Sequence, residues 1–402
     1  MEEKWAHRAD LAEAAINERH ASSLWYLPRT NLAVVSWPPT AKDKLFVAWH
    51  YWWQAHYVDC LVDAALRSNT KVRRRRIADT LRGVRIRNLG PLTANKYYDD
   101  KLWLALAMGR VSSLNKMSQP KPQQALQDNI MAGTVAGVGV LPWREKEGET
   151  FLNVPSNGPA AIMAARTGDT DKARHIVDWI YDHLINDDGL VMDGVRMEMT
   201  GPRYIKAVYP YCQGVVLGAC LEIALALRAE AGLGESQAIE SVEHAERADA
   251  AMVYITRIRS LVQAVATHLA TPAGVITGGG QGDGGLFKGI LARYLADVAV
   301  RLPSDSPANR ATKKLAARLV LGSADSVWEH RLEVDGLPIF GTEWTEDARL
   351  PHNYGLTPST LGQKVGVIRV AERDLSVQLS GWMLLEAAAR VSRYLADSAK
   401  KV

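Results

Sequence analysis

Two adjacent aspartates, Asp99 and Asp100, lie where an irregular segment passes into a helical pattern. Successive residues on a helix point about 100° apart, so both carboxyl groups can face one cleft only at the start of a helix. There they could lie about 5 Å apart, the separation that retaining glycosidases use. Tyr97 and Tyr98 beside them would raise the pKa of one acid by partial desolvation. The alternative is an ordinary helix N-terminus, where acidic residues stabilise free N–H groups and the macrodipole.

Two later helix starts carry amide side chains that could bind sugar hydroxyls. Asn153 and Asn157 precede or begin a helix with proline in its first turn, and the alternative is an ordinary asparagine cap. Tyr211 and Gln213 begin another helix and could together hold a pair of hydroxyls, although glutamine is also unremarkable there. The sequence alone leaves both interpretations open.

The acidic segment from Asp187 to Asp193 lies between these two helix starts. Asp187-Asp188-Gly189 is ordinary turn sequence. The acids do not alternate toward a final glutamate, so the segment does not match an EF-hand calcium loop.

A glycine-rich segment at 278–289 contains a formal G-x-G-x-x-G pattern at Gly280, Gly282 and Gly285. A dinucleotide-binding loop would follow a buried strand inside a βαβ unit, but the strand-like piece at 274–277 is too short and its surroundings are helical. No Gly-Lys-Ser/Thr follows, so it is not a P-loop either. We expect these glycines to let backbone approach a ligand, with Gln281 and Asp283 as polar contacts.

Other catalytic and metal-binding patterns are missing from the sequence. It has no HExxH, GxSxG or CxxC pattern, which removes support for a zinc hydrolase, a serine esterase or a zinc ribbon. The three cysteines, Cys60, Cys212 and Cys220, are too few and unpaired for a disulfide framework, so we expect buried, reduced thiols.

Charge and composition limit the partners of the protein. The net charge of +4 argues against a nucleic-acid partner, because such domains concentrate basic residues on one face. The basic run at 71–76, with Arg82, Arg85 and Arg87 after it, could touch phosphate, but a solvated outer helix is favoured. The content of 47% hydrophobic and 23% charged residues excludes wholesale disorder.

Tryptophan and tyrosine dominate the aromatic residues, with 12 Trp and 13 Tyr against 4 Phe. These side chains offer a flat apolar face and a hydrogen-bonding edge, which suits the mixed surface of a sugar. The alternative is that they fill large helix interfaces. Trp52 and Trp53 lead a helix crowded with polar aromatics, and we expect one of them to reach the cleft as a sugar platform.

Helical periodicity runs along the whole chain, with apolar residues at spacings of three and four, as at Leu286, Ile290 and Tyr294. Strand-like pieces are few and short, at 191–195, 274–277 and 365–371. No flexible linker divides the chain, so 1–402 is predicted to be one all-α domain, a closed double ring with motif loops at one end. About twelve helices are predicted, near 5–21, 43–68, 70–88, 99–115, 121–137, 156–168, 170–186, 212–231, 236–270, 285–302, 307–330 and 375–398.

The N-terminal residues show no basic region followed by an apolar one, so no signal peptide is predicted. No stretch of about 18 uncharged apolar residues predicts a transmembrane helix. A cytoplasmic location is therefore the expectation, and the sequence leaves the oligomeric state unknown.

Taken in order, five motifs resemble glycoside hydrolase family 76, the endo-α-1,6-mannanase-like enzymes. The resemblance runs from about residue 45 to 395. The motifs are Tyr98-Asp99-Asp100 before a Trp-containing helix, Asn153 with Asn157-Gly158-Pro159-Ala160-Ala161, Gly189-Leu190-Val191-Met192-Asp193-Gly194, Tyr211-Cys212-Gln213-Gly214, and Gly285 through Tyr294.

This resemblance implies an (α/α)6 barrel and hydrolysis of α-1,6-mannosidic bonds in mannan or manno-oligosaccharides with retention. It implies Asp99 as nucleophile and Asp100 as acid/base, with no metal or cofactor needed. It also implies that substrate is bound by residues of the motifs. With the aromatic and glycine-rich candidates, the predicted substrate-binding set is Trp52, Trp53, Tyr98, Asn153, Asn157, Asp193, Tyr211, Gln213, Gln281 and Asp283.

The chain departs from the family pattern at Cys212, where relatives often have asparagine, so one sugar contact would differ. Many relatives are secreted, which leaves the physiological substrate open. Two other functions fit the same toroid: another carbohydrate enzyme, such as an epimerase or lyase, and a non-catalytic glycan-binding protein. The ten histidines lie outside the five motifs, which disfavours an epimerase.

Overall fold

A computed structural model describes residues 2–114, 117, 119–232, 242–351 and 370–400. Six of its helices form an inner ring in which each packs on the next and the last packs on the first. The inner helices are α3 (Tyr51–Arg67), α5 (Tyr98–Val111), α7 (Val154–Arg166), α9 (Pro210–Glu230), α11 (Phe287–Arg301) and α13 (Leu375–Ala399).

Six further helices form the outer ring and alternate with the inner ones along the chain. They are α1 (Glu2–Arg19), α4 (Lys71–Arg87), α6 (Pro120–Ala132), α8 (Thr170–His183), α10 (Val242–His268) and α12 (Pro307–Glu329). One short helix, α2 (Ala41–Lys44), precedes α3. The predicted (α/α)6 barrel is confirmed, and within the described residues the predicted helix bounds agree to within a few positions, except at 43–68.

The predicted helix at 43–68 is wrong in its first part. After α2 the chain leaves helical geometry, with left-handed backbone at Phe46 (φ 54°) and at His50 (φ 44°). Two backbone carbonyls that a continuous helix would bond internally accept side-chain hydrogen bonds instead. The indole of Trp25 donates to the oxygen of Leu45, and the guanidinium of Arg87 donates to the oxygen of Phe46. The predicted helix at 236–270 is described only from residue 242 onward, and 236–241 lie outside the described residues.

Three small antiparallel sheets lie in the connections that lead into inner helices. The strands are β1 (Ala21–Ser22), β2 (Leu32–Ala33), β3 (Phe151–Asn153), β4 (Gly194–Glu198), β5 (Gly201–Ile205), β6 (Leu332–Val334) and β7 (Leu337–Ile339). The predicted strand at 191–195 overlaps β4, whereas 274–277 forms only an isolated bridge between Ala270 and Ile276. Of 365–371, the residues 365–369 lie outside the described part, and Ala371 begins a 3-10 turn.

Four inner helices carry a buried amide at their fourth residue: Gln54 in α3, Asn157 in α7, Gln213 in α9 and Gln378 in α13. Each amide bonds both the N–H and the C=O of one residue in a preceding connection. The clamped residues are Ala33, Leu141, Val191 and Phe340, at donor–acceptor distances of 2.8 to 3.0 Å. We call these contacts the amide clamps. They fix the connections against the ring at the end where the inner helices begin.

Helix α9 is long and apolar enough to cross a membrane by composition, but most of its apolar stretch is buried between α7, α10 and α11. Its hydrophobicity is that of a core helix in the inner ring. Cys212 and Cys220 lie on it, and together with Cys60 they are buried free thiols, as predicted.

Candidate active site

Asp99 and Asp100 are the second and third residues of α5, in its first turn. One carboxylate oxygen of Asp99 accepts the backbone N–H of Asp100 (2.9 Å), and the other accepts the indole N–H of Trp143 (3.1 Å). Burial and the neighbouring charge of Asp100 raise the pKa of Asp99 well above its ordinary range, and the two N–H donors act in the opposite direction. Both aspartates remain partly accessible to solvent.

Asp100 accepts a hydrogen bond from the side-chain amide of Asn95 (2.8 Å). Burial raises its pKa to about 6, with a contribution from the charge of Asp283, and the Asn95 bond opposes this shift. The hydroxyl of Tyr51 is buried without a hydrogen-bond partner in the described residues, and its pKa is raised by burial and by the charge of Asp100. Two like charges so close disfavour each other, so the two carboxyl groups titrate as a pair and the ionisation of one raises the pKa of the other.

Aromatic rings form one wall beside the aspartates. The ring centroids of Trp52 and Trp103 are 6.4 Å apart, and those of Trp103 and Tyr211 are 6.5 Å apart. Tyr211 stacks on Phe287 at 4.1 Å with the planes nearly parallel. Trp52 stays partly exposed and donates its indole N–H to Asp283 (3.0 Å). Trp52, Tyr211 and Asp283 therefore lie at the same end of the ring as the aspartates.

Asp193 lies near Tyr211, close enough for its charge to act on the tyrosine hydroxyl. Burial raises the pKa of Asp193 to about 6, and the nearby Arg196 opposes the shift. The pKa of Tyr211 is raised by burial and by the charges of Cys212, Asp193 and Asp99, so this ring faces both acids. Four of the predicted acids, Asp99, Asp100, Asp193 and Asp283, thus surround the aromatic wall.

The structure does not support two predicted aromatic contacts with substrate. Trp53 is 1% exposed and stacks on His50, so neither ring face is open to a sugar, although its N–H also holds Asp283 (2.9 Å). Tyr98 is 5% exposed and turns toward α6, where a Cβ added to Gly133 would lie 2.0 Å from its hydroxyl. Both rings are therefore buried against neighbouring residues of the protein.

The side-chain amides of Asn157 and Gln213 are buried and bonded to backbone in the amide clamps, so neither lies open to a sugar. Asn153 is buried, and its side-chain oxygen has no partner within the described residues. Gln281 is exposed. The sequence could not separate these cases, since an amide at a helix start looks the same whether it bonds sugar or backbone.

The glycines of 278–289 serve packing as well as turns. A Cβ on Gly285 would meet the hydroxyl of Ser376 at 2.5 Å, and one on Gly289 would meet the backbone of Ser380 at 2.7 Å. Gly285 and Gly289 therefore allow the backbone of this segment to pack closely against α13, and not against a ligand. Gly280 and Gly282 have open space where a Cβ would be, so the expectation of a ligand contact stays untested there.

Residues that sequence reasoning missed hold the aspartate pair in place. Trp143 comes from the long connection after α6, and no local signal links it to Asp99. Asn95 also accepts the backbone N–H of Tyr97 (2.8 Å), a turn typical of asparagine just before a helix, and this was a usable signal. No group of three His, Cys, Asp or Glu side chains in the described residues is arranged to hold a metal ion.

Comparison with known proteins finds one family model and several solved structures that are similar to this chain. The model of Glycosyl hydrolase family 76 matches residues 34–375. The GH76A alpha-1,6-mannanase from Salegentibacter sp. HEL1_6 is 25% identical, with a TM-score of 0.75, covering 96% of this chain and 99% of that one. The Lin0763 protein from Listeria innocua is 24% identical, with a TM-score of 0.73, covering 97% and 98%.

Fold similarity extends further. Dfg5 from Chaetomium thermophilum, in complex with glucosamine, is 14% identical, with a TM-score of 0.66, covering 97% of this chain and 91% of that one. No curated protein sequence matches the chain. With the family model covering most of its length, this chain belongs to glycosyl hydrolase family 76 and is a glycoside hydrolase.

Proposed function

We propose that the protein hydrolyses α-1,6-mannosidic bonds with retention, using Asp99 and Asp100. The observation that supports this most is the adjacent carboxyl pair, with raised pKa values, in the first turn of an inner helix beside an aromatic wall. An inactive variant of the Salegentibacter mannanase, with two adjacent aspartates changed to asparagine, binds alpha-1,6-mannotriose. The chain 1–402 is proposed to act as one catalytic domain.

In this mechanism Asp99 attacks the anomeric carbon and forms a mannosyl ester, while Asp100 protonates the departing glycosidic oxygen. Asp100 then removes a proton from water, which attacks the ester and releases mannose with its original configuration. A pKa near 6 suits Asp100 for this role, because it must hold a proton in the first step and lose it before the second. The N–H groups of Trp143 and Asp100 donate to Asp99 and oppose the rise in its pKa, which favours the carboxylate form that attacks the sugar.

The direct test is hydrolysis of an α-1,6-linked mannotetraose, with the anomeric configuration of fresh product followed by NMR. Asp99→Asn should lower turnover on the order of 10⁴-fold or more, since an amide cannot form the ester. Asp100→Asn should spare the first step on substrates with very good leaving groups, and azide should restore the second step by forming a mannosyl azide of retained configuration.

The chain offers a matched control in Asp187 and Asp188, a second adjacent pair in an exposed turn. Changing both to asparagine should leave turnover unchanged. An inverted product, or near-normal rates in the Asp99 and Asp100 variants, would contradict the mechanism. Binding without turnover in the unaltered protein would favour the glycan-binding alternative.

A further inference from the structure

A cluster of exposed apolar side chains lies at the rim of the toroid, at the end that carries the aspartates. We call it the rim patch, and it consists of Trp25, Tyr26, Leu27, Leu45, Val47 and Leu89. Tyr26 is 91% exposed and Leu89 is 77% exposed. The three chain segments are joined by hydrogen bonds from Trp25 to the Leu45 oxygen (2.9 Å) and from Arg87 to the Phe46 oxygen (2.9 Å).

The backbone of the rim patch is held in an unfavourable conformation. Trp25 (φ 48°), Tyr26 (φ 60°) and Leu89 (φ 53°) all lie in the left-handed region, although none is glycine. Such residues each cost on the order of 1 kcal/mol and cluster where strain serves a function. Here the strained backbone keeps two aromatic rings and an aliphatic side chain exposed to solvent. In that position they contribute no hydrophobic stabilisation to the folded chain itself.

Exposed basic side chains lie on the chain segments that form the rim patch. They are Arg29, Lys42, Lys44, Arg82 and Arg85. Of the acids nearby, Asp43 is bonded to Ser36 and Thr40, and Asp79 lies 3.5 Å from Arg75. The combined surface therefore carries exposed apolar and exposed basic side chains on the same segments.

Basic and apolar side chains lie side by side at the C-terminal end of α4. Arg82 and Arg85 border a shallow surface cavity of about 510 Å³ together with Ile86, Leu89 and Gly90. Neither arginine makes an ion pair within the described residues. Such a site offers guanidinium donors and an aliphatic surface to the same ligand.

We propose that the rim patch binds the surface of an anionic lipid bilayer. Trp and Tyr rings favour the headgroup region, leucine and valine side chains reach the acyl boundary, and arginine and lysine bind lipid phosphates. A glycan or nucleic acid would leave Leu27, Leu45, Val47 and Leu89 without a matching partner. Docking in this way turns the aspartate end of the ring toward the membrane, so that glycans carried at the lipid surface reach the cleft.

Cosedimentation with phosphatidylcholine vesicles, with or without phosphatidylglycerol, tests this proposal. The unaltered protein should bind the anionic vesicles and bind neutral ones more weakly. Combined Tyr26→Ser, Leu45→Ser and Leu89→Ser, which keep the Trp25 hydrogen bond, should reduce binding to anionic vesicles by at least about tenfold. Arg82→Gln and Arg85→Gln should each reduce it about fivefold.

The matched control lies at the opposite end of the same helix, where Lys71 and Val72 are also exposed. Lys71→Gln with Val72→Ser should leave vesicle binding unchanged. Thermal stability and hydrolysis of a soluble manno-oligosaccharide should be unaltered in the rim variants, which separates this proposal from the proposed function. Failure of the unaltered protein to bind vesicles, equal loss in the control, or loss of affinity for polymeric mannan in place of vesicles would overturn it.

Discussion

The pKa of Asp100 should determine how the activity of the enzyme depends on pH. Its pKa is about 6, and the first chemical step requires its protonated form, so kcat/KM should fall as pH rises above about 6. Asn95 donates to the ionised carboxylate and so lowers this pKa. Asn95→Ala should therefore raise the pKa of Asp100 and move the basic limb upward by about half a unit to one unit.

The pH–rate profile of the purified variant checks this prediction. Asn88→Ala is the appropriate control, because Asn88 lies in the same connection and bonds only the backbone oxygen of Pro91 (2.7 Å). A shift of equal size in the control, or an unmoved limb in the Asn95 variant, would show that the asparagine does not set the acid/base pKa.

The adjacent tryptophans Trp52 and Trp53 should respond differently to truncation. Trp53→Ala should destabilise the fold by about 3–5 kcal/mol, because it removes a fully buried ring. Trp52→Ala should cost less stability and weaken manno-oligosaccharide binding by about tenfold, since its ring is partly exposed beside the aspartates. Thermal denaturation and calorimetric titration of the two variants separate these effects, and equal behaviour would contradict the assignment.

Residue type and position predicted some parts of the site and missed others. Acids and tyrosines at connections and helix starts are visible in the sequence, which is why it predicts Asp99, Asp100, Asp193, Tyr211 and Asp283, and the structure places these side chains at one end of the ring. The indole of Trp143 was missed, since it reaches Asp99 from 44 positions away and only tertiary packing decides that contact. The helical periodicity of the sequence could not predict which of Trp52 and Trp53 is partly exposed and which is buried.

The helices were predictable because each carries its own periodic apolar stripe and start signals. In α12, Ser306 accepts the N–H of Asn309 (3.1 Å) and Pro307 occupies the first turn, both visible in the sequence. The break between α2 and α3 was not predictable, as 45–50 contain neither proline nor glycine. It depends on donors from Trp25 and Arg87, which are distant along the chain.

The amide clamps should contribute strongly to stability. Gln213→Leu keeps the approximate size of the side chain but leaves the N–H and C=O of Val191 buried without partners. Each orphaned group costs about 1–3 kcal/mol, so a loss of about 3 kcal/mol is expected in urea denaturation. Gln281→Leu, an exposed glutamine in the glycine-rich connection, should change stability by less than about 0.5 kcal/mol.

Across the whole molecule, the two ends of the ring have opposite charge arrangements. The four site acids Asp99, Asp100, Asp193 and Asp283 form no ion pair within the described residues, whereas the other end contains a cavity of about 690 Å³ in which arginines and acids are paired. Arg293 bonds Asp59 and Asp63 there, each at 2.7 Å, and Arg110 contacts the same two acids. Helices α3, α5 and α11 are thus tied together beneath the site.

Arg293→Met should destabilise the protein by about 3–5 kcal/mol, because it leaves two buried carboxylates short of a partner. KM for a manno-oligosaccharide should hardly change at temperatures where the variant is folded. Arg75→Met removes an exposed arginine whose ion pair among the described residues is with Asp79, and it should be nearly neutral. A large change in KM with unaltered stability would place Arg293 in substrate binding instead.

Each amide clamp also closes a loop of chain at its base. The bonded residues are separated by 21, 16, 22 and 38 positions for Gln54, Asn157, Gln213 and Gln378. The entropy of closing a flexible loop grows only with the logarithm of its length, so the difference between 16 and 38 positions amounts to about 0.8 kcal/mol. Insertions inside these loops therefore cost little free energy. They do not move the point where the chain rejoins the ring. The rim of this barrel can lengthen and acquire new contacts while the inner helices stay in register.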